Sequence, residues 1–405
     1  MASGSVFSHP IHVVHNCATW LPITENWLYN LIRSLPESIV NHVVCVQTAN
    51  LEMFPASNLR CLETSPSISS AVRVIHESIT NSRMMGRRSA EISEIIPNKS
   101  TAILHSHFGP HAWRSIHVAR QLDIPHIASF YGFDATYIPQ NNAVWKQRYA
   151  ELFDTVNLVL AEGAYMRDTL ISLGCPSEKV VKIHLGVPLE EVEFIPRAWS
   201  GTGPIRILMA SAFREKKGIP YGLMAIAKLR KQYEIEVTII GDAGDPEEKK
   251  IIEDTIRREG LTEVVSVLGF QPFEKLMEEA YDHHIYLAPS VTAANGDAEG
   301  GLPYSLIVMA ASGMLCVASA HCDIPELIKD GKTGMLADER DVDGIVTAIS
   351  SLVDKPCNWE EITYRTRQHI ENEFNLTTQA QQVAILYQQA TTGIVISDHG
   401  KLDHE

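Results

Sequence analysis

The sequence predicts an α/β protein of two domains, each a parallel sheet with helices on both faces. Three observations predict it. The chain has 405 residues, more than one hydrophobic core usually serves. Short apolar, β-branched runs bounded by turn signals alternate with segments of helical spacing along almost the whole length. Between the two halves, the stretch 188–204 carries Pro188, Pro196, Gly201, Gly203 and Pro204, punctuation that suits a linker.

In the first half the apolar runs 11–14, 43–46, 102–105, 126–129, 158–161 and 180–184 read as buried parallel strands. Between them, 23–35 follows Pro22 and reads as a helix, as do 69–81, 111–122 and 164–173. Gly174 supplies a stop to the last of these, with Pro176 just beyond. The second half repeats the rhythm. Strands are expected at 205–210, 236–240, 264–268, 285–289, 315–318 and 334–336. Helices are expected at 219–232, 246–259, 273–281, 303–312, 341–352, 359–372 and 378–390. Strands alternating with helices imply parallel sheets. The expected division is 1–190, 191–375, and a C-terminal segment 376–405 whose helix returns toward the first domain before a frayed end.

Composition narrows the function classes. Hydrophobic residues make up 45% and charged residues 20%, an ordinary globular balance. The net charge of −15 repels a phosphate backbone, so nucleic acid is not an expected partner. The seven cysteines are odd in number and show no Cys-x-x-Cys pair, which argues against a disulfide framework or structural zinc and suits a reducing cytoplasm. Residues 1–10 lack a signal peptide's basic start and apolar run, and no stretch reaches the ~20 apolar residues of a membrane span. Any membrane contact would be peripheral.

In open parallel sheets, ligands bind beyond the carboxyl ends of the strands. Four segments stand there. The first, PSVTAANGDAEGGLP at 289–303, leaves a strand and enters a helix. Asp297 and Glu299 precede Gly300 and Gly301, and then Leu302 and Pro303. The glycines allow close backbone approach, and helix amides at Tyr304 and Ser305 can hold a diphosphate. The plainer reading is an acidic loop with a capped helix. The second, FREKKG at 213–218, sets Arg214, Lys216 and Lys217 between strand and helix. These cations can neutralise a leaving diphosphate, or form a solvated basic turn. The third, HSHFGPH at 105–111, has His-x-His spacing with no local Cys or acid. That favours hydrogen-bonded histidines, or a His lining a polar cleft, over a metal site. The fourth, SFYGFD at 129–134, either projects Tyr131 and Asp134 toward a ligand or forms a turn that Asp134 caps. No Gly-x-Gly-x-x-Gly follows the first strand, which argues against a dinucleotide oxidoreductase.

Together these segments resemble the retaining family-4 glycosyltransferases of the GT-B fold, nearest to the colanic-acid and amylovoran type. The likeness runs through nearly the whole chain. It rests on Thr24-Glu25 after Leu21-Pro22, HSHFG at 105–109, SFYGFD at 129–134 and LGCPSEKVVKIHLGV at 173–187. It continues with KKG at 216–218, Gly241-Asp242, LGF at 268–270, APSVTAANGDAEG at 288–300 and DIPELIKDGKTG at 323–334. The resemblance implies two Rossmann-like domains facing a central cleft. It implies transfer of a sugar, with retention and without metal or other cofactor, from a UDP- or GDP-linked donor to a sugar or lipid-linked acceptor. Lys217 and a neighbouring Arg would grip the diphosphate, Glu299 the donor sugar, and the Tyr304 and Ser305 amides the phosphates. Gly241 and Leu268 to Phe270 would flank the nucleoside. Asp134, Tyr131 and His107 would stand on the acceptor side.

Three positions depart from the family pattern. Tyr131 stands where a His touching the donor sugar is usual, and Tyr is a poor proton acceptor near neutral pH. Val308 takes the place of a Glu that holds the donor ribose, after an apparent insertion at Gly301. Ala212 matches the usual Arg, with Arg214 two residues later as substitute. The alternatives are a catalytically weakened subunit that partners another transferase, or a sugar-nucleotide epimerase.

Overall fold

A computed structural model of the chain describes residues 10–62, 87–242 and 244–392. The helix expected at 69–81 lies outside the described residues. The chain divides into two compact units, one holding residues up to Gly186 together with those from Leu376 on, the other Val187–Asn375.

Among the described residues, the first unit is built on seven parallel strands. They are β1 (Ile11–Trp20), β2 (Ile39–Thr48), β3 (Leu59–Cys61), β4 (Ala102–His107), β5 (His126–Ser129), β6 (Leu158–Ala161) and β7 (Val180–Lys182), in the order β3-β2-β1-β4-β5-β6-β7. Its helices are α1 (Asn26–Arg33), α2 (87–95), α3 (Gly109–Leu122), α4 (Tyr137–Asn141), α5 (Val144–Thr155) and α6 (Ala164–Ser172). Side chains alternate across the sheet as strand geometry requires. Ile11, Val13 and Ile103 enter one apolar cluster, while Val14, Ala102 and Leu104 enter another that includes Val118, Ala119 and Leu122 of α3. Both faces are therefore covered, which is why the central strands lack a solvent-facing polar register.

β1 runs well past the expected 11–14. His15 and Asn16 continue it because their side chains are hydrogen-bonded in the interior, so polarity does not end the strand. α5 was absent from the sequence expectation. Its Trp145, Tyr149, Leu152 and Phe153 are buried at helical spacing, a signal the aromatic and charged mixture obscures.

The second unit has six parallel strands: β8 (Ile205–Ala210), β9 (Ile235–Ile240), β10 (Val265–Gly269), β11 (Ile285–Ala288), β12 (Leu315–Ser319) and β13 (Met335–Ala337), ordered β10-β9-β8-β11-β12-β13. The helices are α7 (Ile219–Leu229), α8 (Pro246–Arg258), α9 (Phe273–Asp282), α10 (Tyr304–Ala311), α11 (Ile324–Leu327), α12 (Val342–Val353) and α13 (Trp359–Glu373). The stretch expected as a linker is stitched to this unit. Arg197 is buried and donates to the carbonyls of Ala280, His283 and Ser312, satisfying helix-end groups that would otherwise be orphaned. The final helix, α14 (Leu376–Thr392), belongs to the first unit, where Ala380, Val383 and Tyr387 join the cluster of Ile11 and Val13.

Candidate functional site

The site in the second unit begins where β8 ends. A single 3-10 turn, Glu215–Lys217, leads through Gly218 into α7. Gly218 has φ 63°, and a Cβ there would lie 1.8 Å from the Pro289 carbonyl oxygen. Only glycine permits that approach. It brings the turn against the loop between β11 and α10, and the two are tied by backbone as well. Val291 N donates to Lys216 O at 2.8 Å, and Ala294 N to the Glu215 carboxylate at 2.9 Å.

The two lysines then diverge. Lys216 turns inward and donates to Asp297 Oδ1 at 3.1 Å and Ala298 O at 3.0 Å, clamping the acidic loop. Lys217 reaches Glu299, with Nζ 2.9 Å from Oε1 and 2.8 Å from Oε2. Ser290 Oγ donates to Glu299 Oε1 at 2.8 Å. Burial alone would push the Glu299 carboxyl up. The Lys217 and Lys216 ammoniums and these hydrogen bonds override it and hold the group at about 2. Glu299 is therefore a fixed carboxylate, unsuited to act as a general base near neutral pH.

Beneath Glu299 lies a further chain. Glu339 Oε1 is 2.6 Å from His321 Nδ1, and His321 Nε2 accepts the Glu299 amide at 3.1 Å. A neutral His321 with its proton on Nδ1 satisfies both contacts. Gly300 N donates to Cys322 Sγ at 3.3 Å. These contacts set the backbone of the loop as Ser290 and Lys217 set its side chain.

Lys217, Ser290, Glu299, Ser211, Tyr286 and Ser305 line one crevice. Pro303 precedes α10, whose N-terminus has no side-chain cap, and the Tyr286 hydroxyl is 2.9 Å from Ser305 Oγ. Gly241 closes the neighbouring edge. A Cβ there would be 1.9 Å from Ser211 O, and its amide donates to Gly269 O at 3.0 Å, between the exposed Leu268 and Phe270. The expected Lys217, Glu299, Pro303 and Ser305 thus share one place, with Gly300, Gly301, Leu302 and Tyr304 on the same loop and helix start. Arg214 is exposed, its carbonyl accepts the Lys217 amide at 2.9 Å, and its side chain has no hydrogen-bond or ion-pair partner among the described residues. Val308 is buried in α10.

The first-unit residues are arranged otherwise. Both Asp134 oxygens accept backbone amides, from Gly109 at 2.8 Å and Tyr131 at 2.9 Å. Asp134 is buried, which raises its carboxyl to about 6 against the pull of those amides. It closes the turn and caps α3, so the geometry supports the capping alternative over a ligand-facing one. Tyr131 Oη lies 2.7 Å from His107 Nδ1, and His107 Nε2 lies 3.1 Å from His15 Nδ1. His15 Nε2 contacts Asn41 Oδ1 at 3.1 Å, and Asn41 uses its amide nitrogen on Ile32 O. Asn41 Oδ1 can only accept, so the chain runs in one sense: His15 donates to Asn41, His107 to His15 and Tyr131 to His107. His107 is fully buried with both nitrogens engaged and offers no free atom to a substrate. His15, His105 and His107 lie close enough to hold a metal ion. His105 is bonded to Tyr387 Oη at 2.7 Å and Ser129 Oγ at 2.8 Å, so all three would have to surrender protein partners.

Sequence reasoning missed Ser290, His321 and Glu339. Ser290 stands inside the segment 289–303 and His321 beside the segment 323–334, whereas Glu339 carried no signal of its own.

A cationic turn, an uncapped helix start and a fixed carboxylate stand around one crevice, a chemistry able to hold a phosphorylated ligand beside a polar group. Comparison places the chain more closely. Residues 24–191 match the model described as Glycosyltransferase Family 4, and 204–355 match Glycosyl transferases group 1. The chain belongs to this glycosyltransferase family and has the GT-B fold. It is 32% identical over 240 residues to the amylovoran biosynthesis glycosyltransferase AmsK of Erwinia amylovora, covering 59% of this chain and 58% of that one. It is 28% identical over 291 residues to the putative colanic acid biosynthesis glycosyltransferase WcaL of Escherichia coli, covering 70% and 69%. The chain thus matches about 58% of the length of the first of these relatives. Among solved structures, Anabaena Alr3699/HepE in complex with UDP and glucose aligns with TM-score 0.74 at 14% identity, covering 94% of this chain and all (100%) of that one. A glycosyltransferase from Rickettsia africae aligns with TM-score 0.75 at 15% identity, covering 95% and 99%. No helix among the described residues is long and apolar enough to cross a membrane.

Proposed function

We propose that the chain transfers a sugar from a nucleotide-diphosphate sugar to an acceptor hydroxyl, with retention and without a metal, in polysaccharide or glycoconjugate biosynthesis. The Lys217–Glu299 pair carries this reading: a cation and a fixed carboxylate 2.8 Å apart, in a crevice shared with the start of α10. The diphosphate lies toward Lys217 and the Ser305 end of α10. Glu299 accepts hydrogen bonds from sugar hydroxyls. As the anomeric bond breaks, negative charge grows on the leaving diphosphate, and Lys217 stabilises it with the helix amides, aided by the solvent-facing Arg214. A leaving-group oxygen takes the acceptor proton, since Glu299 is too weak a base. The curated relatives and the UDP complex of a structural neighbour support a nucleotide-sugar donor.

Calorimetry with UDP and GDP, followed by incubation with a labelled donor and polysaccharide or lipid-linked acceptors, tests the reading. Binding of one nucleotide and acceptor-dependent transfer are expected. A donor altered without acceptor would point to an epimerase. A chain that binds neither nucleotide would favour a partner subunit, a reading to which buried Val308, unable to hold a ribose, lends some support.

A further inference from the structure

One hydroxyl of the crevice in the second unit has its proton committed to the interior. Tyr286 lies on β11 opposite Leu208 of β8, and its side chain runs past that register to the last carbonyl of the strand, with Oη 2.7 Å from Ala210 O. The same Oη is 2.9 Å from Ser305 Oγ. A phenol carries one proton and a carbonyl oxygen carries none. Tyr286 therefore donates to Ala210, and the hydrogen between the two hydroxyls belongs to Ser305, which donates to Tyr286. Tyr286 is 2% exposed, and burial pushes its phenol up, so the proton stays in place near neutral pH.

Ser305 is half-buried and lines the crevice with Lys217 and Glu299. With its proton directed at Tyr286, its oxygen has only lone pairs left to offer a ligand. Ionised phosphate oxygens also carry no proton and cannot bond to it, whereas a hydroxyl can. The rest of α10 supplies no rival acceptor. Tyr304 and Ser305 are its only polar side chains, and Leu306, Ile307, Val308, Met309, Ala310 and Ala311 are all buried and apolar. The backbone amides at the start of α10 thus suit an anionic oxygen, and Ser305 Oγ suits a hydroxyl next to it.

We propose that Tyr286 holds Ser305 as a fixed hydrogen-bond acceptor for a ligand hydroxyl beside the diphosphate. Ser305 is the specificity-determining residue and Tyr286 the positioning residue behind it. This assignment rests on the transferase reading above. A sugar nucleotide carries hydroxyls on both sides of its diphosphate, on the ribose and on the transferred sugar.

Calorimetry separates the two sources. UDP and GDP, each against its 2′-deoxy and 3′-deoxy forms, read the ribose; UDP-glucose and GDP-mannose, each against the bare nucleotide, read the sugar. A parent preference of at least about fivefold for the ribonucleotide, the scale of one neutral hydrogen bond, that falls below about twofold in Ser305→Ala assigns the hydroxyl to the ribose. An equal fall in the affinity that the sugar adds assigns it to the transferred sugar. Tyr286→Phe returns the Ser305 proton to free rotation and is expected to narrow the same ratio, while Ser305→Thr keeps the hydroxyl and preserves it. Should Tyr286→Phe fail to fold, the two Ser305 variants carry the test. Unchanged ratios in Ser305→Ala, or parental ratios in a folded Tyr286→Phe chain, would overturn the assignment and leave the proposed function standing. A parent chain that binds neither UDP nor GDP would overturn the proposed function itself, and this assignment with it.

Discussion

Replacing Lys217 with methionine would leave the Glu299 carboxylate buried opposite an apolar side chain. In the parent chain Glu299 stands at about 2 instead of 4.5, with Lys217 the largest cause lowering it. At 1.36 kcal/mol per pH unit, that difference corresponds to about 3 kcal/mol of stabilisation of the charged form. Removing one partner of a buried pair costs ~3–5 kcal/mol, and the 19% exposure of the Lys217 side chain trims the lower end. A loss of about 2–4 kcal/mol at pH 7 is expected. Glu299→Gln in the same chain should restore much of it, giving a coupling energy above about 1.5 kcal/mol. The pH dependence has a definite sign. A carboxyl depressed in the folded state stabilises fully above its unfolded value, near 4.5, and loses that contribution as pH falls toward 2. Lys217→Met should flatten this acid limb. Urea unfolding of the four chains of the cycle at pH 7 and pH 4, read by tryptophan fluorescence in the transition of the second unit, measures both effects. A coupling below about 0.5 kcal/mol would show that the pair is not a buried, mutually dependent one.

Glu299→Gln should bind UDP at least as tightly as the parent, because Lys217 is released to the diphosphate, yet lower transfer by about 10²-fold or more; calorimetry and a labelled-donor assay separate the two. Asp134→Ala strands two backbone amides and should destabilise the first unit by about 2–4 kcal/mol, seen in urea unfolding, while UDP affinity stays constant. Burial raises Glu25 to about 7, so the folded state is penalised as pH climbs from 4.5 through 7. Glu25→Gln should therefore raise Tm more at pH 8 than at pH 5. Gly218→Ala, with a Cβ 1.8 Å from Pro289 O and φ at 63°, should cost at least about 2 kcal/mol and weaken nucleotide binding.

The parallel α/β rhythm was legible because strands covered on both faces must be apolar along short runs, as at Leu158–Ala161 and Ile285–Ala288. The same rule hid the second half of β1, where His15 and Asn16 are interior and hydrogen-bonded. In the site, Lys217 and Glu299 were legible from their places after strands and beside glycines. Their partners Ser290, His321 and Glu339 were not, because a loop's register against its neighbours follows no local period.

By itself, then, the sequence determined the fold class, the division into halves and which loops face the strand ends, since these follow from hydrophobic period and turn chemistry along the chain. Only the tertiary structure decided between paired readings of the same residue. It directed Lys216 into the loop and Lys217 onto Glu299, and gave Asp134 to two backbone amides. The physical reason is that a charged group's role depends on what stands within a few ångströms, and apart from Tyr131 beside Asp134 those neighbours come from segments 25 to 82 residues away.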